Sequence, residues 1–440
     1  MPSSLKETAQ RIFRATLAAI DIPEAMCCKL DPSGSTICVN GERINLRDFD
    51  EIVPIAYGKA SLAMAEGLDR IITPETRARG ILVAPSPPAL PLRNWEFFLG
   101  GHPVPNEQSF AAARAVLEQM KRTTDRSLVI FLLSGGGSSL LELPLDSGVT
   151  LADFQEFHRA LVTCGAPIEE INVIRRHLSA TKGGRLAHAA AAGSTKITLG
   201  VTDVPEGHET ALASGPTLPD PTTAADALHV ARKYALVERL PASLRASFER
   251  SALVETPKAG DPAFDRARFA MLLGMHDLFH HAHQVIEAEG FLCICDNSTD
   301  NWPVERAADF LLDQLEIFQR EQPGRPVAVI ADGEVSSPVT GDGVGGRNAA
   351  FVLACVKKIA GKNITVLSAG TDGVDGNSPA AGAIADGQSL ARARAQNLNP
   401  DDYYARSDAF TFFKKLNDAI MTGPTGNNLR DLRILLAPPL

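Results

Sequence analysis

Cysteine is scarce in this chain. Seven occur in 440 residues, at 27, 28, 38, 164, 293, 295 and 355. The odd count and the lack of metal-ligand spacing exclude a disulfide framework and fit a reducing compartment. Cys293 and Cys295 would share one face of the strand FLCIC, where core packing is a simpler reading than chemistry. Positive charge is not in excess. Lys and Arg number 43 against 52 Asp and Glu, a formal net charge of −9, which argues against a nucleic-acid or membrane-surface partner. No apolar run reaches the length of a membrane span. The N-terminal segment has no signal-peptide h-region or cleavage site, so a cytoplasmic location is expected. It reads instead as an amphipathic helix, with Ser4 and Glu7 spaced as a capping box. There is no internal repeat and no low-complexity tract. The G-x-x-x-x-G-K-[ST] motif is missing, as are the HRD and DFG signatures, which excludes P-loop enzymes and protein kinases.

What the chain does have is alternation. Strand-like runs at 52 to 58, 80 to 86, 128 to 133 and 196 to 204 are separated by helix-like runs, the pattern of a doubly wound α/β layer. Near residue 236 proline and charge accumulate and periodicity fades, which reads as a domain connection. A second α/β pattern follows. The expected architecture is α/β with two unlike domains. The first is an N-terminal doubly wound, Rossmann-like domain over 1–240. The second is a smaller α/β domain over 265–440, whose extreme C-terminus is free to pack back on the first. In such sheets sites lie at the carboxyl ends of strands, and an interdomain cleft is the default active site.

Candidate chemistry concentrates in loops that follow strands. The run Leu128–Leu133 stops at Ser134, Gly135, Gly136, Gly137 and Ser138. Glycines there let backbone N–H groups approach a phosphate, with a following helix adding its positive end. A tight strand-to-helix turn is the plain alternative. Lys59 ends the first strong strand at a helix start, where the dipole disfavours a cation unless an anion offsets it. Arg175, Arg176, His177, Lys182 and Arg185 cluster around KGGR, as a solvated basic face or a ligand-facing one. In GDGVGGRN, Gly341, Gly343 and Gly346 satisfy G-x-G-x-x-G. Asp372 lies 26 residues beyond Gly346, however, farther than the usual ~20 of a dinucleotide site. An anion-cradling turn that presents Arg347 fits better than nicotinamide binding. Asp203, Asp332, Glu334, Asp372 and Asp375 follow strands, as suits Mg²⁺, or serve as turn residues. His276, His280, His281 and His283 form a dense run with no evident third ligand, and read as a solvated helix.

Taken together and in order, these loops resemble the class II glycerate kinases, whose C-terminal part is the MOFRL domain. The resembling stretches are GKA at 58, GGHPVPNEQS at 100, SGGGSSLL at 134, INVIRRHLSATKGGRLA at 171 and TDVPEGHETALASGPTLPDPTT at 202. In the second half they are GEVSSPVTGDGVGGRN at 333, SAGTDGVDGNSPAAGA at 368 and TGPTGNNLRDLRILL at 422. The resemblance implies ATP- and Mg²⁺-dependent phosphorylation of D-glycerate at its 2-hydroxyl. It implies Lys59, Arg347 and Asp203 as catalytic residues, with Lys59 and Arg347 facing each other around the transferred group. Ser134 to Ser138, Lys182, Gly343, Gly345 and Gly346 would hold phosphates or nucleotide. Asp203, Glu334 and Asp372 would hold the metal. The partner is a small hydroxy acid, not nucleic acid or membrane, and a homodimer is one assembly open to the chain. Three departures stand out: TDVPEGHE around Asp203, DGE in place of GGE before Glu334, and Ala349-Ala350 where the family usually has Gln-Glu after GGRN. Two alternatives remain: an NAD(P)H-dependent hydroxypyruvate reductase, and a catalytically silent ligand-binding relative.

Overall fold

A computed structural model of the chain describes residues 4–72, 79–92, 94–202, 204, 207–250, 253–427 and 429–440. It divides into two compact units. One is formed by 22–272 and the other by 1–21 together with 273–440.

The unit over 22–272 begins with a hairpin of β1 (Thr36–Val39) and β2 (Glu42–Asn45). Its main sheet contains β3 (Glu51–Tyr57), β4 (Gly80–Ala84), β5 (Trp95–Leu99), β6 (Ser127–Ser134), β7 (Thr195–Val201) and β8 (Ala267–Leu273). The spatial order is β5-β4-β3-β6-β7-β8. The pairs β3–β4, β4–β5, β3–β6 and β6–β7 are parallel. Every residue of β6 and of β7 is buried, as a parallel sheet covered on both faces requires. From β3 the chain winds outward to β5, then returns beside β3 with β6 and winds the other way. This is the doubly wound Rossmann order, and its direction reverses between β3 and β6.

The other unit has a mixed sheet. Its strands are β9 (Leu292–Asp296), β10 (Val327–Asp332), β11 (Thr365–Gly370), β12 (Gly382–Asp386), β13 (Ala419–Ile420) and β14 (Asp431–Ala437), in the order β13-β12-β11-β14-β10-β9. Only β9–β10 is parallel; β14 runs antiparallel to both β10 and β11. The core beside this sheet is built from the helix Val304–Glu321, the helix Arg347–Val356, and aromatics such as Phe351, Phe412 and Phe413.

The last strand, β14, is an inner strand of the second sheet. The other chain end departs from expectation. The N-terminal helix Leu5–Ala19 belongs with the second half rather than with 1–240. It has the expected capping box of Ser4 and Glu7. Its buried residues Ala9, Ile12, Phe13 and Thr16 pack toward β11, β14 and the helix Met275–Ala288. Arg11 donates to Glu289 at 2.6 and 2.7 Å, Lys6 to Asp418 at 2.7 Å, and Asn427 to the Ile20 carbonyl at 2.8 Å. Periodicity marked the helix but carried no information about which sheet would cover its apolar stripe. The segment read as a connection is also partly ordered, as the helix Ala242–Glu249 and strand β8.

Phe13→Ala should therefore cost about 3–5 kcal/mol, and the loss should appear in the second sheet. Hydrogen exchange in the variant should speed up in β11 and β14 and leave β3 and β6 protected. The reverse pattern would assign the helix to the other unit.

Candidate functional site

The first constellation stands where the doubly wound sheet reverses. β3 and β6 end side by side, with Tyr57 level with Leu133, so Gly58 comes against Ser134. A Cβ on Gly58 would lie 2.6 Å from the Ser134 carbonyl oxygen, and φ there is +130°. Only glycine permits this approach. The two loops are then tied together. Lys59 N–H donates to the Gly135 carbonyl at 2.8 Å, and Ala60 N–H donates to Ser134 Oγ at 2.9 Å.

Beyond Ser134 the backbone turns left-handed at Gly136 (φ +81°, ψ −9°) and right-handed at Gly137, where a four-residue helix starts. Alternation of this kind turns successive N–H groups toward one point, forming an anion nest. Among the described residues, no acceptor engages the N–H groups of Gly135, Gly136, Gly137 or Ser138. The helix is too short to add much dipole, so the expected contribution of a helix end shrinks to that of the nest itself. The Lys59 stem and the His102 ring flank Gly136; a Cβ there would meet Lys59 Cγ at 3.3 Å and the ring at 3.4 Å.

Residues not assigned from the sequence complete this loop. His102 Nδ1 is 3.1 Å from Ser139 Oγ. Ser138 and Ser214 share a hydrogen bond of 2.9 Å, and Ser214 Oγ donates to Asn172 at 3.1 Å. Ala213 and Ser214 have φ of +48° and +61°. Non-glycine residues seldom hold such angles, and they cluster where a site over-determines the backbone. His102 and Ser214 lie in the resembling stretches GGHPVP and LASGPT. Only the fold brings them beside Gly136 and Ser138.

Four members of the basic cluster, Arg176, His177, Lys182 and Arg185, have their polar groups engaged by the scaffold. Arg176 donates to Asp220 at 3.1 Å and to the Thr210 carbonyl at 2.9 Å. His177 meets Glu255 at 3.2 Å, and Arg185 donates to the Val254 and Glu255 carbonyls. Lys182, expected at phosphate, is 1% exposed, and its ammonium donates to the fully buried Glu142 at 2.5 Å. Glu142 also accepts from Ser179, and His158 lies 3.8 Å away. Burial is the largest single influence and would raise the Glu142 pKa, but Lys182 and His158 together outweigh it and the carboxyl sits below its ordinary value. Desolvation correspondingly lowers Lys182. A glycine pair beside a lysine suggested an open ligand loop. Instead Gly183 and Gly184, both at positive φ, let the chain turn tightly against Thr256, Phe264 and Leu218.

The second constellation belongs to the other unit. Arg347 opens the helix Arg347–Val356 and is gripped from two sides. Its terminal nitrogens donate to Glu334 at 2.5 and 2.7 Å, and its Nε donates to Asp431 at 2.5 Å. The guanidinium is desolvated, yet the two carboxylates raise its pKa further. Asp431 starts β14, level with Gly370 at the end of β11. Antiparallel insertion thus brings a strand start to the edge where β10 and β11 finish. Asp372 and Asp431 each point an oxygen toward Gly370, whose Cβ would meet them at 3.1 and 3.3 Å. Asp300 accepts from Glu334 N–H at 2.7 Å and from Arg430 at 2.8 Å. A cavity of about 370 Å³ adjoins Arg347, with Ala350, Tyr403, Tyr404 and Ser337 in its wall. Ala349 and Ala350, where the family pattern has Gln-Glu, are both buried.

Two of the three glycines expected to cradle an anion, Gly343 and Gly345, have their N–H groups engaged within the protein. Gly343 N–H donates to the Arg406 carbonyl at 3.1 Å, Val344 N–H to Asp408 at 3.1 Å, and Gly345 N–H to Asn377 at 2.8 Å. The first N–H groups of the helix are taken too, by the buried Asp375, which accepts from Asn348 at 3.0 Å and Ala349 at 2.9 Å. These glycines permit close packing: a Cβ on Gly343 would overlap Arg406 and Asp408, and one on Gly346 would overlap Asp375 and Gly376. A dinucleotide pyrophosphate would have to compete for the donors of Gly343, Val344, Gly345, Asn348 and Ala349. Asp375 is a helix cap rather than a metal ligand. Asp203 lies outside the described residues.

Two predictions follow from these burials. Lys182→Met should cost about 3–5 kcal/mol, because Glu142 would be left as an uncompensated buried charge, and adding Glu142→Leu should recover most of that loss. Urea unfolding of the single and double variants tests it; a stable single variant would put Lys182 back among ligand candidates. Asp375 is held up to about 6, because burial outweighs the bonds from the Ala349 and Asn348 amides. The folded state therefore keeps this proton where the unfolded chain has lost it, and the group's contribution to stability falls as pH rises from about 4 to about 6. Asp375→Asn, which keeps a capping oxygen, should gain on the parent across that window. Urea midpoints measured from pH 4 to 7 should diverge; a constant difference would contradict the assignment.

Residues 8–249 match the family described as "Domain of unknown function (DUF4147)", and residues 327–431 match the MOFRL family. A D-glycerate 2-kinase of Thermotoga maritima is 32% identical over 436 residues, covering 98% of each chain. A protein of Agrobacterium vitis named putative hydroxypyruvate reductase is 34% identical, covering 98% of this chain and 94% of its own. The crystal structure of a glycerate kinase from Thermotoga maritima superposes with a TM-score of 0.84 at 32% identity, over 98% of this chain and 99% of that one. By the order of its loops, the Rossmann winding of its first sheet and these whole-length matches, the chain belongs to the class II glycerate kinase family.

Proposed function

We propose that this chain transfers the terminal phosphoryl group of ATP to the 2-hydroxyl of D-glycerate, giving 2-phosphoglycerate and ADP. The observation that carries the proposal is the loop from Ser134 to Ser138. It lies where the first sheet reverses, has N–H groups with no acceptor among the described residues, and has the Lys59 stem beside Gly136. Phosphoryl transfer asks a protein for positioning and charge neutralisation. Amide donors fixed by the Gly58–Ser134 contact supply the first, and the Lys59 ammonium supplies part of the second.

In the reaction the substrate oxygen forms a bond to phosphorus, the bond from phosphorus to the ADP oxygen breaks, and the hydroxyl proton leaves to a base. Asp203, which follows β7 in the sequence, is proposed as that base. Arg347 supplies further positive charge. Its grip by Glu334 and Asp431 fixes the guanidinium plane, so little entropy is lost when it meets an anion. The carboxylates of Glu334 and Asp372 are the proposed Mg²⁺ ligands, oxygen donors of the kind a hard cation takes. The ion would offset charge on the phosphate oxygens. Of these ligands Glu334 is shared with Arg347, so metal binding and guanidinium placement are coupled through one carboxylate.

The Agrobacterium relative's name raises hydroxypyruvate reduction as a second reading. The engaged N–H groups of Gly343 and Gly345 weigh against it.

Incubation with D-glycerate and Mg-ATP, followed by enolase without phosphoglycerate mutase, should yield phosphoenolpyruvate directly. A requirement for the mutase would mean transfer to the 3-hydroxyl. Oxidation of NAD(P)H by hydroxypyruvate, with no ATP consumed, would replace the kinase reading altogether. Lys59→Ala and Arg347→Ala should each lower kcat by roughly 10²-fold, about 3 kcal/mol, with the melting temperature of Lys59→Ala little changed. Near-normal turnover in folded Lys59→Ala would remove the lysine from the mechanism.

A further inference from the structure

We propose that His283, Cys293 and Cys295 form a zinc site of this chain, with Glu287 as the carboxylate partner of the histidine. In sequence the site lies between the two stretches that match known families, and it uses none of the residues assigned to phosphoryl transfer.

The fold assembles it from two segments. Successive residues of β9 face opposite sides. Leu292 and Ile294 pack against the core that contains the helix Val304–Glu321. Cys293 and Cys295 therefore face the other way, toward the helix Met275–Ala288, which packs on β9 and β10. That helix brings His283 to the strand. A nitrogen of His283 and both sulfurs lie within 4.8 Å of one another, and His283 Nδ1 is 3.3 Å from Cys295 Sγ. Neighbouring ligand atoms of a tetrahedral zinc with thiolate and imidazole ligands are about 3.5–3.8 Å apart, as its bond lengths require. A shift of about 1 Å or less closes the triangle.

The other imidazole nitrogen supplies an independent observation. His283 Nε2 lies 3.2 Å from the Glu287 carboxylate, one helical turn along. A histidine that binds a metal through one nitrogen usually donates its other N–H to a carboxylate, which fixes the tautomer and strengthens the ligand. Here that arrangement leaves Nδ1, the nitrogen beside Cys295, to the metal. Two thiolates and an imidazole select a borderline-soft ion such as Zn²⁺ over Mg²⁺. Cys295 is exposed and Cys293 half-buried, so solvent can reach the fourth position and water can fill it. β9 is an edge strand, and a metal here would clamp that edge to its covering helix.

The sequence offered the two parts separately. The histidine run was expected to lack a third ligand, and the cysteines were expected in the core. Cys295 is exposed because its face of β9 is only partly covered by the helix.

Tag-free protein, reduced and stripped with chelator, should bind one equivalent of Co²⁺. It should show thiolate-to-cobalt charge transfer and the intense visible bands of a four-coordinate ion. Zn²⁺ should displace the cobalt and raise the melting temperature. His283→Gln and Cys295→Ser should each abolish the cobalt spectrum. Glu287→Gln, a surface change that leaves the fold alone, should weaken binding by roughly 10–100-fold. Cys27→Ser with Cys28→Ser should leave it intact. The proposal is overturned if reduced parent protein binds no cobalt, or if the thiolate band survives in Cys293→Ser/Cys295→Ser.

Discussion

The contact of Gly58 with Ser134 is the constraint on which the first constellation depends. Two parallel strands separated in sequence by a full excursion to β5 and back must end at the same level for it to exist. Once they do, the Ser134 hydroxyl is spent on the Ala60 amide and the Gly135 carbonyl on the Lys59 amide. What remains unengaged among the described residues is a set of N–H groups, with the Lys59 stem beside them. The loop is thus specified from below, by strand register. It does not need a long helix behind it, which is as well, since the one that follows has only four residues. A side chain at position 58 would force the loops apart and disperse those donors before any ligand was considered.

The second unit solves a different electrostatic problem. Antiparallel insertion of β14 places Asp431 at an edge that already carries Asp332, Glu334 and Asp372 from parallel-style strand ends. So much negative charge needs cations. Arg347 and Arg430 supply them at the surface of the cluster, and Arg433, fully buried, donates to the Asp332 and Gly333 carbonyls beneath it. Arg347 is therefore less a free positive charge than a planar group oriented by two carboxylates. Anything anionic that binds it must compete with, or lie beside, those carboxylates.

Much of the fold was legible because alternation is a strong signal: the strands around 55, 82, 130 and 198 and their covering helices follow from period and apolar content. The Rossmann order was expected from that pattern. The site was legible where chemistry is carried by consecutive residues, as in Ser134 to Ser138 and Lys59. It was not legible where chemistry arises from register. Asp431 sits in an unremarkable LRDLRILL run, and only the antiparallel direction of β14 brings it to Arg347. Lys182 shows the converse failure. A lysine beside two glycines looks like a ligand loop, but its partner Glu142 lies 40 residues back and nothing in either local sequence announces the pair.

The two glycine motifs make the sharpest comparison. SGGGSS and GDGVGG are equally rich in glycine, and a local reading treats both as cradles. What separates them is where their N–H groups go, a question with a definite answer for every buried amide. In the second motif Arg406, Asp408 and Asn377 take the donors of Gly343, Val344 and Gly345, and Asp375 takes those of Asn348 and Ala349. Those glycines are needed because two stretches of backbone cross within van der Waals contact. In the first motif the close contact lies one step earlier, at Gly58, and the glycines that follow leave their donors unengaged among the described residues. Glycine content alone therefore cannot tell an anion site from a packing site. Satisfaction of the amides can: the loop after β6 keeps four consecutive donors open among the described residues, whereas three consecutive ones are taken in GDGVGG.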